Sequence, residues 1–223
     1  MAITINGTTS VVGLKSDTNN VGLGSTALDS ITTGDYNVAL GDEAGTAITE
    51  GAKNVTIGFR AGKLISTGIQ NVAVGSYSLD ANTTGQENVA IGNSALGSNT
   101  TASYNVAVGT KALYANTTGY DNAAFGYYAL NTNTTGYNNA AFGRNALLTA
   151  TTGHNNTAIG FDSLRSFTTG NGRNTAVGKG SMYTTTTGYQ NTAVGADSMR
   201  SNTTGYMNTT VGETSMHNNT TGI

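Results

Sequence analysis

An asparagine followed four positions later by glycine recurs every seventeen residues, from Asn20/Gly24 to Asn208/Gly212, twelve times in all. One step alone breaks the period, where Gly170-Asn171-Gly172-Arg173-Asn174 carries one extra residue. A short fixed period means one structural unit stacked on copies of itself. The shape of this chain must therefore be read from its repeat.

Asn71-Val72-Ala73-Val74-Gly75-Ser76-Tyr77-Ser78-Leu79-Asp80-Ala81-Asn82-Thr83-Thr84-Gly85-Gln86-Glu87 represents the unit. Counting the anchor Asn as position 0, position 3 is always large and apolar, from Leu23 to Val211. Position 1 is Val in the early units and Thr in the last four, and position 2 is Ala in nine of twelve. Period-two alternation of β-branched residues closed by Gly predicts a short strand. A small residue at position 7 and Leu or Met at position 8 follow, except that Gly45 and Gly62 occupy position 8 in two units. The Asn-Thr-Thr-Gly segment then supplies a sharp corner. Seventeen residues lack helical spacing and suit one turn of a parallel β-solenoid with two or three short strands per coil.

Stacking puts like residues on like about 4.8 Å apart, so Asn amides can pair up the stack and position 3 is expected to fill a narrow core. The Ala file at position 2 then lies on the opposite face. Close packing against a neighbouring chain is one reading of it, and an inward face where the coil narrows is the other. On the first reading Ala73, Ala90, Ala107, Ala124, Ala141, Ala158, Ala176 and Ala193 form the interface of a homotrimer.

Charged residues are only 10% of the 223, and the ten Lys and Arg are spread along the sequence, which argues against a nucleic-acid-binding patch. Disorder is excluded by the large apolar residue in every unit. No cysteine is present, so disulfides and thiolate metal sites are excluded. No run reaches the 18 or so apolar residues of a membrane span, so membrane insertion is not expected. Met1 to Gly7 lacks the basic and apolar regions of a secretory signal.

The Asn-Val-Ala-Val-Gly and Asn-Val-Ala-Ile-Gly segments resemble the head repeats of trimeric autotransporter adhesins. That resemblance implies a left-handed parallel β-roll packed as a trimer, although the unit here is three residues longer. The pattern Thr-Thr-Gly-x-x-Asn-x-Ala-x-Gly over residues 20–223 resembles the seventeen-residue repeats of bacteriophage tail-fibre-like proteins more closely. Met1 to Thr8 resembles the opening of some phage fibre proteins. The resemblance implies an all-β trimeric rod on a virion, with residues 1–19 as a cap or attachment segment for other virion proteins. The family often carries a C-terminal chaperone that is cut away, and the ending at Asn219-Thr220-Thr221-Gly222-Ile223, one residue short of a unit, is read in that light or as an end that abuts another copy.

No catalytic constellation, cofactor motif or metal site is expected: His154 and His217 are far apart and the acids occupy non-equivalent positions. The corner after Thr-Thr-Gly, position 15, carries Tyr120, Tyr137, His154, Tyr189 and Tyr206. These rings are read either as a ligand-binding surface for host carbohydrate or as cover for one another along the stack. The first functional expectation is a structural fibre or adhesin of a phage particle, located on the virion. A bacterial surface adhesin head and a head-to-tail extracellular filament subunit are the alternatives.

Overall fold

The computed structural model describes residues 12–15 and 19–222. Most of the proposed segment 1–19 lies outside the described residues. Its β1 (Val12–Lys15) runs antiparallel to β2 (Asn20–Leu23). From β2 to β13 (Thr209–Val211), twelve strands stack in sequence order as one parallel sheet, each strand supplied by one repeat. The chain is a parallel β-solenoid, as the period predicts.

Register follows sequence identity. Val72 lies beside Val89, Ala73 beside Ala90 and Val74 beside Ile91, and every step keeps the same correspondence. The extra residue near Gly170 does not disturb it, because Thr157, Ala158 and Ile159 still face Thr175, Ala176 and Val177. The corner absorbs the insertion and the sheet runs on.

Each coil has one strand of three or four residues rather than two or three strands. The rest of the coil is turn, yet it is bonded coil to coil. The amides of Leu79, Ala81 and Thr83 donate to the carbonyls of Ala95, Gly97 and Thr100 at 2.9, 3.2 and 2.8 Å. Left-handed residues at positions 6, 8 and 16, such as Tyr77, Leu79 and Glu87 with φ of 58°, 51° and 54°, bend the chain too sharply for further strands. Each costs on the order of 1 kcal/mol, which the stack on either side offsets. Gly75 at position 4 has a different constraint: a Cβ there would sit 2.7 Å from the carbonyl carbon of Gly92 in the next coil.

The anchor asparagines are buried and form a continuous ladder. The side chain of Asn88 donates to Asn71 Oδ1 at 3.2 Å and to the Ala102 carbonyl at 2.8 Å. Its backbone N–H donates to the same Asn71 oxygen at 3.0 Å. A shorter second ladder at position 11 links Asn82, Asn99, Asn116 and Asn133 at 2.8–2.9 Å. Buried amides left unpaired would cost about 1–3 kcal/mol each, so the ladders fix both register and corner.

Contrary to expectation, position 3 does not fill the core, and of the two readings of the Ala file the inward one holds. The Ala file points into the coil: Ala73, Ala90, Ala107, Ala124, Ala141, Ala158, Ala176 and Ala193 are all 0% exposed within a single chain. They pack with the equally buried position-8 side chains, from Leu79 to Met199, in one core. The position-3 residues point outward, with Ile91 40% and Phe142 38% exposed. The Ala file is thus not a free surface for a trimer contact, and Leu23 to Val211 do not fill the core. The reason is volume. The left-handed turn at position 8 swings a Leu or Met across the coil, and only a methyl fits opposite it.

Two units confirm this complementarity. Where Gly45 and Gly62 replace the position-8 leucine, Ile48 and Ile65 enter the core from position 11. A Cβ on either glycine would come within 2.8–2.9 Å of the isoleucine Cδ1.

An Asp at position 107 should therefore block folding, since burying an unpaired carboxylate costs several kcal/mol. Val108→Asp, one residue on, should fold with an unchanged far-ultraviolet circular dichroism spectrum. Equal effects from the two substitutions would refute this assignment of faces.

Candidate functional site

Because every coil repeats the last, surface chemistry can differ only in strips that run the length of the rod. Three strips stand out: the position-15 corner, the turn after the strand, and the outward strand face.

At the position-15 corner the rings stack face to face. Tyr120 and Tyr137 have centroids 5.0 Å apart and planes within 4°. Tyr137 and His154 stack at 4.5 Å and 8°, and Tyr189 and Tyr206 at 4.8 Å and 4°. The structure thus brings the five expected residues into two stacks rather than one. The break falls at Asn171, which pairs with His154 through an isolated bridge and supplies no ring. An open cleft of about 420 Å³ lies at that break, lined by Thr169, Gly170, Asn171, Thr187, Tyr189 and Gln190.

The second strip escaped the sequence reading. Positions 5, 6 and 9 differ in the repeat, so their Lys, Arg and aromatic residues look scattered along the chain. The turn places all three on one corner. Lys111 lies over the rings of Tyr114 and Tyr128 at 5.5 and 5.6 Å. Arg144 lies over Tyr127 and Phe161 at 5.6 and 5.8 Å, and Tyr183 is flanked by Arg165 and Arg200 at 5.5 and 4.7 Å. Arg165 also pairs with Asp162 at 3.4 Å, and Arg200 pairs with Asp197. The signal available in the sequence was the coincidence of cations and aromatics at positions flanking one turn. Such contacts contribute about 0.5–1 kcal/mol at exposed sites.

Toward the N-terminal end the same corner is ionic. Arg60 lies 3.7 Å from Glu43 and 3.4 Å from Asp80, and Lys63 pairs with Glu43. Partial burial pushes the Asp80 carboxyl above its ordinary value, and Arg60 and Lys63 pull it only part of the way back. Among the described residues no three His, Cys, Asp or Glu side chains converge in a metal-binding group.

The third strip is the outward strand face. Positions 1 and 3 over twelve units give 24 side chains without one charged residue or amide. They form two parallel files, apolar except for the position-1 threonines of the last four units, and Phe125 and Phe142 stack at 4.8 Å and 6°.

Comparison with known proteins finds no matching family model, curated protein or solved structure. The functional reading rests on these strips.

The Asp80 shift has a stability consequence. With the folded-state value above the unfolded one, the native chain holds this proton more tightly. Stability contributed by Asp80 is present at low pH and falls as pH rises through the carboxylate range. Urea midpoints of wild type and Asp80→Asn, compared between pH 3 and pH 7, should diverge in favour of the variant at the higher pH. Parallel pH profiles would show that Asp80 does not sense its burial.

Proposed function

We propose that the chain is a structural rod of a phage fibre or adhesin, which associates with copies of itself through the outward strand face. The observation that carries this reading is the uncharged stripe along the entire sheet, apolar but for four threonines at its C-terminal end. Taking about 4.8 Å per coil and a width of two side chains, the stripe covers roughly 600 Å². That is as large as the largest apolar patch on most monomers, and larger patches generally mark interfaces. Its periodicity favours a copy of the same chain as the occupant, because parallel copies present the same spacing rung for rung.

A trimer closes such a contact without leaving a sheet face bare, since each chain meets two neighbours around one axis. Trimeric association and a left-handed coil belong to this proposal and are supported by the resemblance to adhesin heads and phage repeats. So is a virion location, with attachment through residues 1–19. The low charge and the stacked ladders suit a part whose work is reach and stiffness. The exposed rings of Tyr120 and Tyr189 and the half-buried rings of Tyr137, His154 and Tyr206 are the proposed points of contact with host-surface carbohydrate. In this reading the chain performs no catalysis and needs no cofactor.

Sedimentation velocity tests the association. The wild-type chain should run as a trimer. Ile91→Asp combined with Phe142→Asp should run as a monomer with unchanged circular dichroism, because desolvating a carboxylate at the contact costs several kcal/mol. A wild-type chain that is monomeric at micromolar concentration would overturn the proposal.

A further inference from the structure

The aromatic ladder at position 15 is interrupted at one rung, and the interruption has a shape. Tyr189 stacks on Tyr206 in the coil that follows it, so its opposite ring face turns toward the coil that carries Asn171. That coil is the one with the extra residue. Gly170 there adopts a φ of 98°, and a Cβ added to it would meet nothing within 4 Å. The open cleft of about 420 Å³ lies between these two coils, with Tyr189 in its wall. Tyr189 remains 38% exposed although it is stacked on one side.

The polar rim of the cleft is uncommitted. Across the stack, position-12 threonines bond to the next coil, as Thr168 Oγ1 does to the Thr186 carbonyl at 3.3 Å. At position 13 the threonines are exposed and unbonded throughout the stack, Thr169 and Thr187 included, and the exposed side chains of Asn171 and Gln190 likewise make no hydrogen bond to another described residue. The backbone is held on either side: the Gln190 and Thr187 backbone amides donate to the Gly172 and Thr203 carbonyls at 2.6 and 3.3 Å, and the His154 amide donates to the Gly170 carbonyl at 3.3 Å. The site therefore combines a partly bonded frame, one aromatic face not covered by another ring, and solvent-facing amides and hydroxyls. No Asp, Glu, Lys or Arg lines it.

We infer that this cleft is a carbohydrate subsite, in which one neutral hexopyranose ring stacks on Tyr189 and occupies the missing rung. Three features select this class. Rungs elsewhere in the ladder are spaced by 4.5–5.0 Å, so the vacated level has the thickness of one six-membered ring. A pyranose with equatorial hydroxyls has an apolar C–H face for the tyrosine and a polar edge for amides and hydroxyls. The uncharged lining disfavours an anionic sugar, whose charge would find no partner here. This inference deepens the carbohydrate-contact part of the proposed function and rests on it. It gives that contact one defined position on an otherwise repetitive rod.

Saturation-transfer NMR with methyl β-D-glucopyranoside as the probe tests it on the full chain. Transfer should be strongest at the axial H1, H3 and H5 protons. Tyr189→Phe, which keeps the ring, should bind as wild type does. Tyr189→Ala should weaken binding about fivefold or more, the scale of one lost aromatic stacking contact. Asn171→Tyr should restore the continuous ladder, melt no lower than wild type and abolish the transfer. Wild-type-like transfer in the Asn171→Tyr variant would overturn the subsite, as would no transfer to the wild-type chain. Transfer to N-acetyltyrosinamide but not to the glycoside would also overturn it, in favour of a peptide. Sedimentation of Asn171→Tyr should match wild type, so failure of the subsite and failure of the self-associating rod give different results.

Discussion

Everything in this chain depends on one constraint: each coil must offer its backbone groups to the next at the spacing of a parallel sheet. The constraint extends beyond the strands, because the turn amides of Leu79 and Thr83 are bonded coil to coil as the strand residues are. Where every position stacks on its own copy, a residue type is acceptable only if it tolerates itself about 4.8 Å away. Asn does so by donating and accepting in one line. Thr bonds its hydroxyl to the next carbonyl, and Tyr or Phe stacks. A carboxylate repeated in register would repel itself, which accounts for the low charge and for acids that never share a position in adjacent coils.

The same constraint makes the core narrow and its composition strict. An Ala methyl faces a Leu or Met that a left-handed turn has swung across the coil. Where that leucine is missing, at Gly45 and Gly62, an isoleucine arrives from another corner. In those two coils the core is kept full by exchange between positions. With the interior closed by such small groups, the larger apolar side chains of the strand are left outside. A stack whose coils are bonded to one another along strand and turn alike is thus left with a largely apolar face uncovered. That unsatisfied surface underlies the proposed association of chains.

The charged residues of the repeat are confined to corners whose side chains project beyond the ladders, and there the repeat acquires local character. One corner passes from ion pairs around Arg60 to cations alternating with rings around Arg144 and Tyr183. Another carries stacked rings and is broken once, at the insertion. The sheet does not register that insertion, since Ala158 still faces Ala176. An extra residue placed where no ladder runs alters the surface and leaves the body of the rod unchanged.

The sequence by itself determined the period, the position of each strand, the corner at Thr-Thr-Gly and the Asn ladder. Each depends on local chemistry repeated in register: β-branched alternation, glycine where backbones approach, and an amide that bonds its own copy. It did not determine which face of the strand is inside. Val-Ala-Val has apolar groups on both sides, so alternation marks two faces without ranking them. Only the closed coil decided it, because the left-handed residues at positions 6, 8 and 16 set the curvature and bring Leu79 and its equivalents against the methyl side. The number of strands per coil was decided in the same way. The Lys and Arg that meet Tyr and Phe along one corner were hidden for a related reason. Their positions differ in the repeat, and they share a surface only once the turn has folded.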